Sequence, residues 1–290
     1  MGSKITFFRP FVSMVIIAGL IFSISACNNL PNNGVPIYLH IDSPSVVSNS
    51  YFGSSSFVIP SVWATTGSHN LGAYEMPVDI PILAGGSVSV ALSAGISDNG
   101  IISAPAMYPF YRPDTFTIPN AIPGHVYHHK PVYNYFSSTQ VAFNETFDAS
   151  NTFTNITPET NTVFEGFRSG GIVLSSSVDS LTATSRSYVI NTNGRESYLE
   201  LNYRLNNANV LCDIGVIATL YSGGQITQQN VYDKIVLTSP IGQWNKIYIN
   251  FDNEIGANPN YNFQVYLTGY HTQGQNDTVF LDNIKLLYFQ

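Results

Sequence analysis

No stretch of twelve residues in this chain places its apolar residues at the 3.6-residue period of a helix, and that absence constrains the fold more than any single motif. The apolar residues come in short runs cut by Gly, Pro and Asn. In Ser87–Ala94, Val88, Val90 and Leu92 alternate with Ser89, Ala91 and Ser93, the two-residue period of a half-buried strand. Further strands are expected at Ile37–Ile41, Phe57–Ala64, Phe116–Ile118 and Val126–Phe136. The texture changes around Val141–Asn155. Beyond it, strands are expected at Gly171–Ser175, Arg186–Ile190, Ser197–Leu205, Leu211–Leu220, Asp233–Thr238, Lys246–Phe251, Asn262–Tyr270 and Thr278–Tyr288. Spacing of this kind predicts an all-β chain built as two sandwiches. Asn99-Gly100 marks a hairpin turn. Pro77 and Pro81 cannot donate to a ladder, which puts Leu71–Gly86 at an edge or crossover.

With 290 residues the chain can bury two cores. Hydrophobic residues at 44% and aromatics at 13% exclude disorder. Charged residues are only 10%, against a usual share of about 25%, so Asn, Ser, Thr, Gly and Tyr carry the polarity. A net charge of −7 offers no basic stripe for phosphates and argues against a nucleic-acid partner.

At the N-terminus Lys4 and Arg9 precede the apolar run Phe11–Phe22, and small residues lead to Cys27. This is the grammar of a secretory signal, and the run is short for a membrane-spanning helix. Ile24-Ser25-Ala26-Cys27 resembles a bacterial lipobox, which implies cleavage before Cys27 and acylation of its thiol. Two or more acyl chains would hold the protein on a membrane. The segments expected are a signal at 1–26, a tether at 27–36, one sandwich at 37–141 and a second at 142–290. Cys212 is then left without a partner and reads as a small buried hydrophobe.

Three phrases carry a resemblance. Tyr198–Tyr203, Gln243–Asn250 and Phe280–Lys285 resemble, in that order, the middle and closing strands of carbohydrate-binding-module jelly rolls. Trp63–Gly86 with the strand that follows resembles an Ig-like or transthyretin-like sandwich, and the layout is similar to that of Bacteroidota lipoproteins. The likeness implies a jelly roll whose closing acid, Asp282, can hold a structural calcium with Asp148, Glu145 or Glu165. The other reading of Asp282-Asn283 is a hydrogen-bonded strand bulge. No residues acidic enough to signal export to the cell surface follow Cys27, so the membrane face stays open.

Enzyme signatures are absent: no G-x-S-x-G, no H-E-x-x-H, no phosphate loop. A glycoside hydrolase needs two carboxylates about 5–10 Å apart, and no segment resembles such a motif. His128 and His129 are adjacent in a strand, face opposite ways, and do not easily share a metal. Glycan binding needs exposed aromatic faces flanked by amides and carboxylates. Tyr108, Phe110 and Tyr111 form the leading aromatic candidate, with Tyr221, Tyr261 and Tyr270 as jelly-roll alternatives. Trp63 and Trp244 are expected in the cores. The resulting expectation is a non-catalytic, lipid-anchored protein of the bacterial outer membrane, without an organic cofactor. It would recognise a polysaccharide or serve as a subunit of an envelope protein complex.

Overall fold

The computed structural model describes residues 34–290 apart from 68, 104 and 273–275; the expected signal segment and Cys27 lie outside the described residues. The described chain is nearly all β. In the N-terminal lobe the strands are β1 (Ile37–Ile41), β2 (Ser45–Val47), β3 (Ser61–Thr66), β4 (His69–Glu75), β5 (Val78–Ile82), β6 (Gly86–Ser97), β7 (Pro105–Met107), β8 (Tyr111–Arg112), β9 (Asp114–Ala121), β10 (Val126–His129) and β11 (Val132–Tyr135). The C-terminal lobe holds β12 (Gln140–Glu145), β13 (Thr157–Glu159), β14 (Ser169–Leu174), β15 (Ser180–Thr184), β16 (Tyr188–Val189), β17 (Ser197–Leu205), β18 (Val210–Ser222), β19 (Gln225–Leu237), β20 (Asn245–Asn250), β21 (Asn262–His271) and β22 (Asp277–Tyr288). One short helix, α1 (Asp252–Gly256), follows β20. No helix among the described residues is long and apolar enough to cross a membrane.

In the N-terminal lobe the sheet β10-β1-β5 faces the sheet β4-β3-β6, to whose last strand β7 and β9 pair. Ile37, Leu39, Ile41, Val62, Ala64, Ile80, Val90 and Leu92 interdigitate between them. β1 and β10 run parallel, a pairing between segments some ninety residues apart. The expected strand Val126–Phe136 is two strands, broken at Lys130-Pro131 because proline interrupts the ladder.

In the C-terminal lobe β13-β14-β22-β17-β20, with β12 also on β22, stacks on β15-β21-β18-β19, with β16 on β21. Leu199, Leu201, Ile214, Val216, Leu267, Val279 and Leu281 form the core between them. Burying each such side chain contributes roughly 1.5–3 kcal/mol. Cys212 is fully buried in this core. The two tryptophans correct expectation: Trp63 and Trp244 are both half-buried and belong to none of the cores. Strand β12, in the stretch read as a lobe junction, is an integral strand of the larger C-terminal sheet.

Strand β22 explains Asp282-Asn283. Its core-facing residues run Val279, Leu281, Ile284, Leu286, a slip of one residue in the two-residue period. Opposite it on β17, Glu200 pairs with Lys285 and Asn202 with Asp282, so β22 carries one extra residue there. Asn283 takes a φ of 48°, which Asn tolerates better than most residues. The pair is a β-bulge, and it turns Lys285 away from the core and toward Glu200.

Candidate functional site

Because the core side of the larger C-terminal sheet takes Leu199, Leu201, Ile247 and Ile249, the alternating residues Tyr198, Glu200, Lys246, Tyr248, Lys285 and Leu287 face outward. That outer face is not exposed. The N-terminal lobe covers it with Phe52, Tyr108, Phe110, Tyr111, Tyr133 and Tyr135, forming a third, aromatic core. Tyr108 lies edge-on to Tyr111 and Tyr198, with ring centroids 4.7 and 5.5 Å apart, and Phe110 packs on Phe289 at 4.7 Å. This corrects the expectation of an exposed aromatic patch. Tyr108, Phe110 and Tyr111 are at most 2% exposed and present no face to a ligand. Three apolar rings in one loop gain more from covering an unpartnered sheet than from water.

Within this core sits a charged cluster. Glu200 accepts hydrogen bonds from Tyr108 (2.5 Å) and Tyr135 (3.0 Å) and pairs with Lys246 at 2.7 Å and Lys285 at 3.4 Å. Lys285 also donates to the carbonyls of Phe52 (3.0 Å) and Ser54 (3.3 Å). Burial pulls the Lys285 ammonium down to about 8. Burial opposes the ionised Glu200, yet the two ammoniums and Tyr108 prevail and hold its carboxyl at about 2. Every member of the cluster is buried, so it fastens the lobes together, and only Lys246 reaches the wall of a neighbouring hollow.

What stays open is the seam along the edge of this contact. At one end Val58, Pro60, Ser97, Gly100 and Ile102 from the N-terminal lobe face Tyr203, Ser239, Gln243, Trp244 and Asn245, enclosing about 530 Å³. Trp244 lies edge-on to Phe164 at 5.6 Å. The Tyr203 hydroxyl donates to the Ser239 carbonyl (2.6 Å) and accepts from Asn245 Nδ2 (3.2 Å), which fixes that wall. Phe164 also lines the next hollow with Ser55, Ser56, Phe57 and Glu165. Glu165 then continues into a third, of about 490 Å³, with Asn49, Gly53, Asp148, Gly166 and Asn283. Ser55 and Glu165 line both of the last two hollows, and the Phe164–Trp244 contact sets the first beside them.

Asp282 holds the groove wall in place. Its carboxylate accepts from the backbone N–H groups of Phe164 and Glu165, both at 3.2 Å, and from that of Asn283 at 2.8 Å. Burial nonetheless pushes its carboxyl from 3.8 up to about 7. Glu165 accepts from Asn283 Nδ2 at 3.2 Å and from the Ser54 hydroxyl. Asp148 accepts from the backbone of Phe167 (2.6 Å) and Arg168 (2.9 Å), and a Cβ on Gly166, whose φ is +75°, would run into it. Glu145 is bound by Phe147 and Thr152. Among the described residues, no three of Asp282, Asp148, Glu145 and Glu165 bring oxygens within 4.8 Å of one another. Each carboxylate has backbone donors or side-chain partners of its own.

The jelly-roll alternatives do not share a surface. Tyr221 and Tyr261 lie toward one end of the β18–β21 pairing and Tyr270 toward the other, since Thr219 pairs with Asn262 and Leu211 with Tyr270. Ten residues of strand separate Tyr221 from Leu211, roughly 33 Å. Phe164 and Gln243, which line the groove, were not legible as binding residues. The sequence marks Trp244 as a core residue and Glu165 and Asp148 as calcium partners, and none of the three as groove lining.

No family model matches the chain, and no curated protein matches it. Among solved structures it is similar to carbohydrate-binding modules of the β-sandwich superfamily, with 13% identity, TM-score 0.36, and 78% of this chain and 84% of that chain covered. It is also similar to the C-terminal family 22 carbohydrate-binding module of Clostridium thermocellum Xyn10B, at 13% identity and TM-score 0.36, covering 51% of this chain and 93% of that one. A third is the CBM22-1 xylan-binding domain from Paenibacillus barcinonensis Xyn10C, at 10% identity and TM-score 0.36, covering 52% and 96%. Likeness at this level leaves the ligand open.

Proposed function

We propose that this protein is a lipid-anchored recognition protein of the bacterial outer membrane that holds a polysaccharide, without cleaving it, in the groove along the lobe seam. The observation that carries this reading is the half-exposed Trp244, set edge-on to Phe164 and flanked by the amides of Gln243 and Asn245. A sugar ring is bound by stacking its apolar face on an aromatic ring while amides and carboxylates meet its hydroxyls. Three hollows set side by side along the seam suit a chain of sugars better than a single small molecule. Non-catalytic action is favoured because Asp282, Asp148 and Glu145 are each committed to backbone N–H donors.

The test is affinity electrophoresis of the full chain against a panel of envelope and plant polysaccharides. At least one should retard the protein, and Trp244→Ala should weaken that retardation about three- to tenfold, the equivalent of about 0.5–1.5 kcal/mol of lost stacking. Tyr221→Ala should leave it unchanged. In the same cells Cys27→Ala should move the protein out of the membrane fraction. Absence of retardation by every polysaccharide, or full binding by Trp244→Ala, would sink the groove reading.

A second reading, an assembly subunit of an envelope complex, is favoured by β19. This thirteen-residue strand is the free edge of its sheet and exposes Ile226, Val231 and Val236. Open edges of this length are templates for pairing with another chain. Cross-linking in membranes to one protein partner, with no polysaccharide bound, selects it.

A further inference from the structure

We propose that His40, His128 and Asp42 form a surface site for a divalent first-row transition ion such as Zn2+, with Asp79 as the group that orients His40. The site is independent of the seam groove.

The geometry comes from register. Parallel pairing sets His40 of β1 opposite His128 of β10, and antiparallel pairing sets the same His40 opposite Asp79 of β5. Ile37, Leu39 and Ile41 point into the core, so His40 points outward, and Asp42, two residues on, follows it to the same side. One nitrogen from each imidazole and one Asp42 oxygen lie within 4.8 Å of one another. The two imidazole centroids are 4.8 Å apart.

Two further distances argue for an ion. Nε2 of His40 stands 3.5 Å from Asp42 Oδ1, long for a direct hydrogen bond. Two ligands, each about 2.0–2.1 Å from a tetrahedral zinc, stand roughly 3.3 Å apart. Meanwhile Nδ1 of His40 lies 2.7 Å from Asp79 Oδ1. A proton held on Nδ1 by that carboxylate leaves the Nε2 lone pair on the Asp42 side of the ring. This carboxylate–imidazole–metal arrangement is the usual outer shell of a zinc ligand. Asp42 and Asp79 form ion pairs with His40 alone among the described residues, so the patch carries negative charge for a cation to neutralise. Tyr38, Pro81 and Val126, the neighbouring outward row, bring no charge. Two imidazoles and one carboxylate select zinc, nickel or copper over calcium or magnesium, and leave one position for water or a partner's ligand.

Isothermal titration of the full chain with ZnCl2 at pH 7.5 should show one equivalent bound, with no response to CaCl2. His40→Ala and His128→Ala should each weaken binding at least tenfold, and Asp79→Asn about tenfold or more. His69→Ala, on another sheet, should bind as the parent does. Affinity should fall as pH drops and the imidazoles protonate, because an imidazolium offers no lone pair. The three positions are on the surface, and unchanged melting without metal confirms each variant as folded. Absence of zinc binding would overturn the site and leave the His40 contacts with Asp79 and Asp42 as surface polar pairing alone. Wild-type affinity in His40→Ala or His128→Ala would overturn it equally, and wild-type affinity in Asp79→Asn would remove the role of Asp79.

Discussion

Asp282 joins backbone, groove and titration in one side chain. Its carboxylate fixes the loop that carries Phe164 and Glu165 into the groove. Burial has raised its carboxyl from 3.8 to about 7, so the folded chain holds a proton that the unfolded chain has released anywhere between those values. Stability from this group is therefore full below about pH 4 and lost as pH rises through about 7. Asp282→Asn removes the titration while keeping one acceptor. We expect melting temperature plotted against pH to lose its decline between pH 4 and 7 in this variant, with other groups contributing equally to both proteins. An unchanged profile would mean that Asp282 is ionised throughout. The residue was legible as a structural feature because a polar pair interrupts an apolar run. Its link to Phe164, more than a hundred residues away, was not, since nothing local encodes that contact.

Strands were legible where one or both faces are apolar. β1 and β17 match the expected bounds because Ile37, Leu39 and Ile41, and likewise Leu199, Leu201, Tyr203 and Leu205, mark them. The first half of β19, Gln225–Asn230, was missed: apart from the exposed Ile226 its residues are polar on both faces, and only its ladder to β18 makes it a strand. Pairing partners were less legible still. His128 reads as unable to share a metal within its own strand, and the parallel register that supplies His40 is a tertiary fact. The bulge in β22 lies between these cases, because the slip from Leu281 to Ile284 is visible in the sequence once the core face is known. Its backbone sets a test. Asn283 sits at φ 48°, where a β-branched residue is strained by about 1–2 kcal/mol, and its amide also bonds Glu165. Chemical denaturation should show Asn283→Val destabilised by at least that amount and Asn283→Gly by less. Equal losses would mean that the lost amide contact, rather than the backbone, sets the cost.

At the scale of the molecule the decisive event is the covering of one sheet face by the other lobe, and composition cannot report it. Tyr108, Phe110 and Tyr111 would be equally suitable as a sugar platform or as a wedge; what lies opposite decides. Opposite lies the outer face of the larger C-terminal sheet, with Glu200, Lys246 and Lys285 at its centre. One carboxylate faces two ammoniums there, so its removal leaves two buried positive charges without a counterion. Breaking a buried pair in this way costs about 3–5 kcal/mol. Glu200→Gln keeps the shape and should lower the free energy of unfolding by that amount in urea, at neutral pH. Replacing the whole cluster with Leu and Met would not restore the parent here as it can elsewhere. Lys285 also satisfies the carbonyls of Phe52 and Ser54, and each carbonyl left unpaired costs about 1–3 kcal/mol. The combined variant Glu200→Leu, Lys246→Met, Lys285→Met is therefore expected to remain less stable than the parent. Parental stability in that variant would show that the segment from Phe52 to Ser54 finds water or other donors when the lysine is gone. A loss below about 1 kcal/mol in Glu200→Gln would show that the aromatic rings alone hold the lobes, and the charges would then add no net attachment.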